Sequence, residues 1–176
     1  MSCFKFWHRY RCKRWEMEGD MLRVLYTGFK GKNNSSYQLL SRIWGQKLLL
    51  TNSFDGLKKE IMNITDQYDL VVMFGLDAGL KGAVRIESIA EWGGEERVTR
   101  MDCDKICDYL IASGVQCAVS KIPTKYLCNA AYFHMLQKVF GKAVFIHIPS
   151  LKNMSEGMME GIIKGMESGS QRRAFW

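Results

Sequence analysis

From residue 21 onward, short apolar runs alternate with amphipathic stretches, and this alternation restricts the fold more than any other feature of the chain. The strand predicted at 69–74 contains a continuous apolar run at 70–74, which is typical of a strand buried on both faces of a sheet. Strands that alternate with helices predict an α/β fold, with helices covering both faces of the sheet. The predicted strands are 22–26, 47–51, 69–74, 117–119 and 143–148, and residues 83–90 form a further segment between a loop rich in glycine and lysine and the glycine pair at 93–94. One predicted helix begins near Ser35 or Ser36, either of which is a candidate N-cap, and the others span 54–65, 102–113, 125–139 and 154–166.

The chain has 176 residues, of which 47% are hydrophobic and only two are proline, so it is long enough to bury one sizeable core. We expect one domain over residues 21–168, preceded by a basic, aromatic extension at 1–20 and followed by a tail at 169–176. No apolar run approaches the roughly 20 residues that a membrane span requires, and no apolar stretch follows the basic N-terminal segment. These features predict no membrane partner and a cytoplasmic location.

The net charge of +7 is concentrated at the ends of the chain. Residues 1–15 contain five lysines and arginines and no acidic residue, and Arg172 and Arg173 supply two more, so the remaining charges balance. Aromatic and basic side chains that alternate, as in residues 4–15, are able to stack on bases and neutralise phosphates. We favour a solvated extension, or a segment before the natural start, because Met21 opens a strand; a nucleic-acid partner is therefore not predicted.

Six cysteines are present, and in a reducing compartment they are expected to be free thiols, most of them small core residues. Cys103 and Cys107 lie four residues apart on a predicted helix and so share one face. No second pair of ligands lies nearby in the sequence to complete a zinc site, and we predict no metal.

Cys128 and His147 are the first candidates for chemistry. Cys128 opens the helix predicted at 125–139, and His147 ends the strand predicted at 143–148, nineteen residues later. A helix N-terminus and a nearby imidazolium lower a thiol pKa from about 8.5 by one to several units, so we expect Cys128 to be a reactive thiolate near neutral pH. The alternative for His147 is a core histidine satisfied by a backbone carbonyl.

Ligand sites in α/β sheets collect at the carboxyl ends of strands, and several segments lie there. These are 27–29 after the first strand, 75–77 after the third, Cys128 after a later strand and His147 at the end of the last. Glu87, flanked by apolar residues, is expected to lie where a lone carboxylate is costly and needs a partner. A carboxylate that accepts from the second imidazole nitrogen would complete a Cys-His-Glu arrangement.

Five segments, in order, resemble the pyroglutamyl peptidase I (pyrrolidone-carboxylate peptidase) family. They are Thr-Gly-Phe at 27–29, Gly-Leu at 75–76, Arg-Ile-Glu-Ser-Ile-Ala at 85–90, Tyr-Leu-Cys-Asn at 126–129 and Phe-Ile-His-Ile-Pro at 145–149. The resemblance covers roughly residues 21–163 and is most specific around Cys128 and His147. It implies a three-layer α/β/α sandwich, phosphorylase/hydrolase-like, with a mostly parallel, mixed sheet.

The same resemblance implies a thiol protease without a cofactor, which removes an N-terminal pyroglutamyl group from peptides whose N-terminus it blocks. Cys128 is then the nucleophile, His147 the general base and later acid, and Glu87 the residue that orients His147. Arg97, ten residues beyond Glu87, takes the place of an arginine near the oxyanion site, together with the Cys128 amide; the alternative is a solvated surface arginine. The implied substrate-binding residues are Phe29, Gly75, Leu76, Tyr126 and Leu127.

The chain departs from the family around the substrate pocket. After Thr-Gly-Phe it reads Lys-Gly-Lys-Asn-Asn at 30–34, the segment 77–81 is altered, and residues 98–101 lead almost directly into the next helix. Each lost apolar wall weakens discrimination by about 1 to 3 kcal/mol. The alternative function is therefore a catalytically inactive protein, or one of altered specificity, that binds a small ligand or peptide. A homo-oligomer also stays open, because the methionines of the last helix form either core, which we favour, or a contact surface.

Overall fold

The computed structural model of the protein describes residues 22–171. The predicted extension at 1–20 and most of the predicted tail lie outside the described residues. The strands are β1 (Val24–Phe29), β2 (Gln46–Leu50), β3 (Leu70–Leu76), β4 (Ala83–Glu87), β5 (Ile89–Trp92), β6 (Glu95–Val98), β7 (Gln116–Ser120) and β8 (Ala143–Ile148). The helices are α1 (Ser35–Arg42), α2 (Phe54–Met62), α3 (Cys103–Ala112), α4 (Tyr126–Lys138) and α5 (Glu156–Gln171), and a 3₁₀ turn spans Leu151–Asn153.

Six strands form one sheet in the order β2-β1-β3-β8-β4-β7. All neighbouring pairs are parallel except β4 with β8, which is antiparallel. One buried cluster joins the sheet to α1, α3 and α5, and a second joins the other face to α2 and α4. The predicted α/β/α sandwich with a mostly parallel, mixed sheet is therefore confirmed.

The two central strands, β3 and β8, are buried on both faces because their side chains alternate between the two clusters. Val71 and Met73 pack toward α2 and α4, whereas Val72 and Phe74 pack toward α1, α3 and α5. This explains the unbroken apolar run at 70–74, since a strand with helices on both sides has no solvent-facing positions.

Strand β4 runs antiparallel to β8, and this changes which segments of the chain meet at the predicted site. The carboxyl ends of β1, β3 and β8 share one edge, as predicted, and Gly75 pairs with His147 there. Strand β7 is parallel to β4 and runs the other way, so Cys128 does not follow a carboxyl end at this edge. The loop at 121–125 instead brings the start of α4 to the edge, where the Cys128 sulfur lies beside Gly75.

The segment 83–90, between two glycine-rich stretches, contributes to two strands. Strand β4 ends at Glu87, and β5 pairs antiparallel with β6 in a separate hairpin. Gly93 and Gly94 have φ angles of +62° and +83° at its turn, a conformation that favours glycine at both central positions. Asn129 of α4 holds the hairpin, because its side-chain oxygen accepts from the Glu91 amide at 3.0 Å.

Two helix ends also differ from the prediction. Asn34, rather than Ser35 or Ser36, caps α1, since its side chain accepts from the Ser36 amide. Helix α5 runs to Gln171, past the predicted domain boundary at 168. The four methionines near and in α5 (Met154, Met158, Met159 and Met166) are buried in the core, as we favoured. Within residues 22–171, no helix is both long and apolar enough to cross a membrane.

Four cysteines lie in the described part of the chain, and all four are free thiols, as expected. Cys103 and Cys107 are buried in the core cluster between the sheet and α3, so they serve as small core residues. Among residues 22–171, no three His, Cys, Asp or Glu side chains are grouped so that they are able to hold a metal ion.

Candidate active site

His147 and Glu87 form a buried pair at the centre of the sheet. Glu87 ends β4 and His147 lies one residue before the end of β8, on adjacent antiparallel strands. The Nδ1 atom of His147 lies 2.7 Å from Oε1 of Glu87, and the two residues are only 4% and 1% exposed. When Nδ1 carries the proton and donates to Glu87, the Nε2 atom is left as the acceptor that a general base requires.

Arg85 and Asp77 complete a charged network that the sequence interpretation missed. The Nε atom of Arg85 donates to Oε1 of Glu87 at 2.8 Å, and its Nη2 atom lies 2.9 Å from Oδ2 of Asp77. Arg85 and Glu87 are two residues apart on a strand and so share one face, a spacing that was visible in the sequence. Burial acts to raise the pKa of Glu87, but the hydrogen bonds from His147 and Arg85 outweigh it and hold that pKa below its usual value.

Cys128 lies in the first turn of α4 and lines the same cavity as His147. This cavity of about 660 Å³ is bounded by the carboxyl end of β3, the loop after β7 and the start of α4. Asp77 and Arg85 line it as well. The cavity therefore holds a thiol, an imidazole and a carboxylate–guanidinium pair in a space large enough for a small ligand.

The predicted low pKa of Cys128 is wrong for the free protein. Burial, followed by the negative charges of Asp77 and Glu87, raises the pKa of the thiol to about 12. The sequence interpretation of this thiol considered only the helix N-terminus and the histidine, and so left out burial and the charges of Asp77 and Glu87. The resting site thus holds a neutral thiol, which has to lose its proton during the attack.

The raised pKa predicts how the alkylation of Cys128 depends on pH. Thiolate is the species that reacts, so the iodoacetamide rate at Cys128 should rise about tenfold per pH unit from pH 7 to 10, without a plateau. Peptide mapping by mass spectrometry measures this rate. A plateau near pH 8 would show a thiolate already formed at neutral pH and would contradict the high pKa.

Gly75 lets Cys128 approach the sheet. A Cβ atom at this position would lie 2.5 Å from a ring carbon of Phe145 and 3.0 Å from the Cys128 sulfur. Both contacts are shorter than normal packing allows, so only glycine fits without displacement.

Gly75→Ala is therefore expected to move the sulfur or the Phe145 ring and to lower both stability, by about 1 to 3 kcal/mol, and any turnover. Urea denaturation and hydrolysis of a pyroglutamyl reporter measure the two effects. Gly157→Ala is the matched control, because nothing lies within 4 Å of its added methyl group. Equal behaviour of the two variants would refute the close approach.

The predicted substrate-binding residues do not all line the cavity. Leu76, Tyr126 and Leu127 line the cavity, and Gly75 lies beside the Cys128 sulfur. Tyr126 is 81% exposed and has a φ of +66°, which is uncommon for a residue with a side chain. Phe29 is buried in the core cluster against which Leu127 and Cys128 pack, and its amide donates to the Ser36 hydroxyl.

Arg97, like Phe29, is a predicted site residue that does not line the cavity. It lies on β6, and its guanidinium carbon is 4.7 Å from the centre of the Phe133 ring. Its Nη2 atom is also 3.4 Å from a carboxylate oxygen of Glu95. The separate β5–β6 hairpin explains this position, because it carries Arg97 to the side of α4 rather than to its start.

No protein-family model matches the chain, and no curated protein matches it by sequence. Solved structures do match. Pyroglutamyl peptidase I of Bacillus amyloliquefaciens superposes with a TM-score of 0.71 at 18% identity, over 87% of this chain and 97% of that one. The chain has the fold of the pyroglutamyl peptidases.

Two further structures agree with this assignment of the fold. The pyrrolidone carboxyl peptidase of Fervidobacterium islandicum AW-1 gives a TM-score of 0.67 at 19% identity, over 88% of this chain and all of that one. That of Thermococcus litoralis gives 0.65 at 20% identity, over 84% and 92%. The resemblance found in the sequence is thus confirmed at the level of the fold.

Proposed function

We propose that the protein is a cysteine peptidase of the pyroglutamyl peptidase I type, which removes an N-terminal pyroglutamyl or related acyl group from peptides. The observation that carries the proposal is the buried 2.7 Å contact between His147 and Glu87, in a cavity that Cys128 also lines. The shared fold supports it, since the matched structures are peptidases. Free thiols throughout the described part also suit a reducing, cytoplasmic location.

The mechanism follows from the neutral resting thiol. His147 takes the proton from the Cys128 sulfur as that sulfur attacks the acyl carbon, and Glu87 stabilises the imidazolium that results. The Cys128 amide, in the first turn of α4, has no partner within the helix and is available to the developing oxyanion. The C–N bond then breaks, His147 returns the proton to the leaving amine, and water activated by His147 hydrolyses the thioester.

The acyl group recognised is expected to be small and partly apolar. Leu76 and Leu127 offer apolar surface in the cavity, and Asp77 offers a hydrogen-bond acceptor. A lactam ring presents an apolar face and an amide N–H that suit these groups. The cavity chemistry therefore supports a pyroglutamyl substrate although the family's loop at 30–34 is replaced.

Mass spectrometry of the protein during turnover of a pyroglutamyl fluorogenic substrate tests the proposal. We expect a pyroglutamyl thioester on Cys128, trapped by acid quenching and located by peptide mapping. Cys117, a free thiol on β7, is the internal control and should carry no acyl group. Absence of both adduct and fluorophore release would reject the peptidase proposal.

The second candidate is a binding protein on the same fold, or an enzyme with another acyl specificity. The high pKa of Cys128 favours it, because a thiol held neutral beside two carboxylates is a poor nucleophile without an efficient base. Under this function, 2-pyrrolidone or a pyroglutamyl peptide raises the melting temperature but no acyl adduct forms. An adduct on Cys128 would exclude the inactive form of this alternative.

A further inference from the structure

Arg85 occupies a special place in the network because it touches Glu87 and lies opposite His147. In the antiparallel pair of β4 and β8, Arg85 is the direct cross-strand partner of His147, and Glu87 is two residues away on the same face. The guanidinium spans the gap between Glu87 and Asp77, with contacts of 2.8 and 2.9 Å. No sequence motif had singled Arg85 out for this role.

We propose that Arg85 is a positioning residue of the reaction. Arg85 is anchored by Asp77, clamps the Glu87 carboxylate and so keeps the Oε1 atom of Glu87 in contact with the His147 imidazole. This inference rests on the proposed function. It assigns Arg85 no contact with the reacting atoms; the residue acts through Glu87.

Glu87 needs such a partner because it is buried and poorly compensated. Its Oε1 atom accepts from both His147 and Arg85, whereas its Oε2 atom is buried and has no hydrogen-bond partner among the described residues. The Tyr132 hydroxyl donates to the backbone carbonyl of Glu87 and not to its carboxylate. An ionised carboxylate in this position is costly unless a cation lies next to it.

His147 alone does not compensate the buried charge of Glu87 throughout a turnover. The imidazole gains and loses its second proton as the thiol attacks and the amine leaves, so its charge is transient. A guanidinium is always charged, and Arg85 therefore stabilises the carboxylate in every intermediate. Arg85 is itself held in place by Asp77, which is fixed by two hydrogen bonds. The Gly79 amide donates to the Asp77 carboxylate at 2.8 Å, and the Asp77 amide donates to the Ile148 carbonyl at 2.9 Å.

The clamp depends on the shape of arginine as well as on its charge. One side of the guanidinium fork reaches Glu87 through Nε and the other reaches Asp77 through Nη2. A lysine ammonium is a compact charge on a flexible stem and does not hold two carboxylates in a fixed plane. Arg85→Lys should thus retain the charge while loosening the orientation, which separates the two contributions.

The titratable groups around Glu87 determine the expected pH dependence. Arg85 faces it on β4, His147 on β8 and Asp77 at the end of β3, while the thiols of Cys128 on α4 and Cys103 on α3 and the phenol of Tyr132 also sense its charge. Loss of the only permanent cation in this set raises the pKa of Glu87. The active form has an ionised Glu87 and a neutral His147, and loss of a nearby cation disfavours both states, so the acid limb of the pH profile then moves to higher pH.

The test compares wild type, Arg85→Gln and Arg85→Lys in kcat/KM for a pyroglutamyl reporter between pH 4 and 9. For Arg85→Gln we expect the acid limb to move up by about one pH unit or more and kcat at pH 7 to fall about tenfold or more, with KM little changed. For Arg85→Lys we expect a fall in kcat with the acid limb near that of wild type. Arg42→Gln, which removes an exposed arginine paired with Glu156, is the matched control and should leave the profile unchanged.

A second readout does not need turnover. The ¹³C carboxyl resonance of Glu87 should titrate at higher pH in Arg85→Gln than in wild type, and circular dichroism checks the fold. If wild type proves inactive, the proposed function fails, but the Glu87 titration still decides the role of Arg85. An unshifted acid limb or an unshifted Glu87 titration in Arg85→Gln overturns the inference; if that variant does not fold, unchanged kcat in Arg85→Lys overturns it.

Discussion

Cys128→Ala is expected to abolish hydrolysis of a pyroglutamyl reporter, with kcat lower than in wild type by about 10⁴-fold or more. Alanine removes the only sulfur that lines the cavity with His147 in the described part of the chain, and no other side chain there replaces a nucleophile that forms a thioester. The fold should persist, because the substitution shortens a partly buried side chain by one atom. Fluorophore release and thermal denaturation measure the two effects.

Cys117→Ala is the matched control for this result. Cys117 is also a partly buried free thiol, but it lies on β7 outside the cavity. Its replacement should leave turnover unchanged. Equal turnover in Cys128→Ala and wild type would remove Cys128 from the mechanism and would assign the hydrolysis to another group.

The sequence predicted the layers of the fold because burial on both faces leaves a clear pattern. The side chains of β3 and β8 alternate between two helical layers, and no exposed position interrupts these strands. Helix α3 was also placed closely, since Gly114 has a φ of +84° just after its end and an L-residue with a side chain is strained there.

The direction of each strand could not be predicted from the sequence, for a physical reason. A strand has the same side-chain period in either direction, so the pattern of β4 and β7 carries no sign of their reversal relative to β8. The hairpin of β5 and β6 did leave a signal in its adjacent glycines, Gly93 and Gly94, whose positive φ angles suit a tight turn. That signal was visible as a pair of adjacent glycines but was not interpreted as a hairpin turn.

The candidate site was predicted in part. The sequence paired His147 with Glu87, and the structure places their side chains in contact. It missed Arg85 and Asp77, because a charged residue on a strand gives no indication of which neighbour it will meet across the sheet. The wrong pKa for Cys128 has a related cause, since burial, followed by the negative charges of Asp77 and Glu87, opposes the thiolate.

Glu87→Gln is expected to lower kcat by about 10³- to 10⁴-fold, comparable to the loss when a triad carboxylate becomes an amide. Glutamine keeps the size of the side chain but not its charge, so the imidazolium formed during attack is no longer stabilised. The glutamine amide is also able to turn its N–H group toward the N–H donors of His147 and Arg85, which leaves donors facing each other. Both of these donors approach Oε1 of Glu87 at under 3 Å. Steady-state kinetics and the melting temperature measure the effect.

Glu91→Gln serves as the control for this last substitution, because Glu91 lies on β5 and its contact with Asn129 uses the backbone amide rather than the carboxylate. Its kinetics should match wild type. If Glu87→Gln stays within a few-fold of wild type while folding normally, the carboxylate does not stabilise His147 during turnover. The buried contact would then be structural, and the clamp formed by Arg85 would serve the stability of the sheet instead of the chemistry of Cys128.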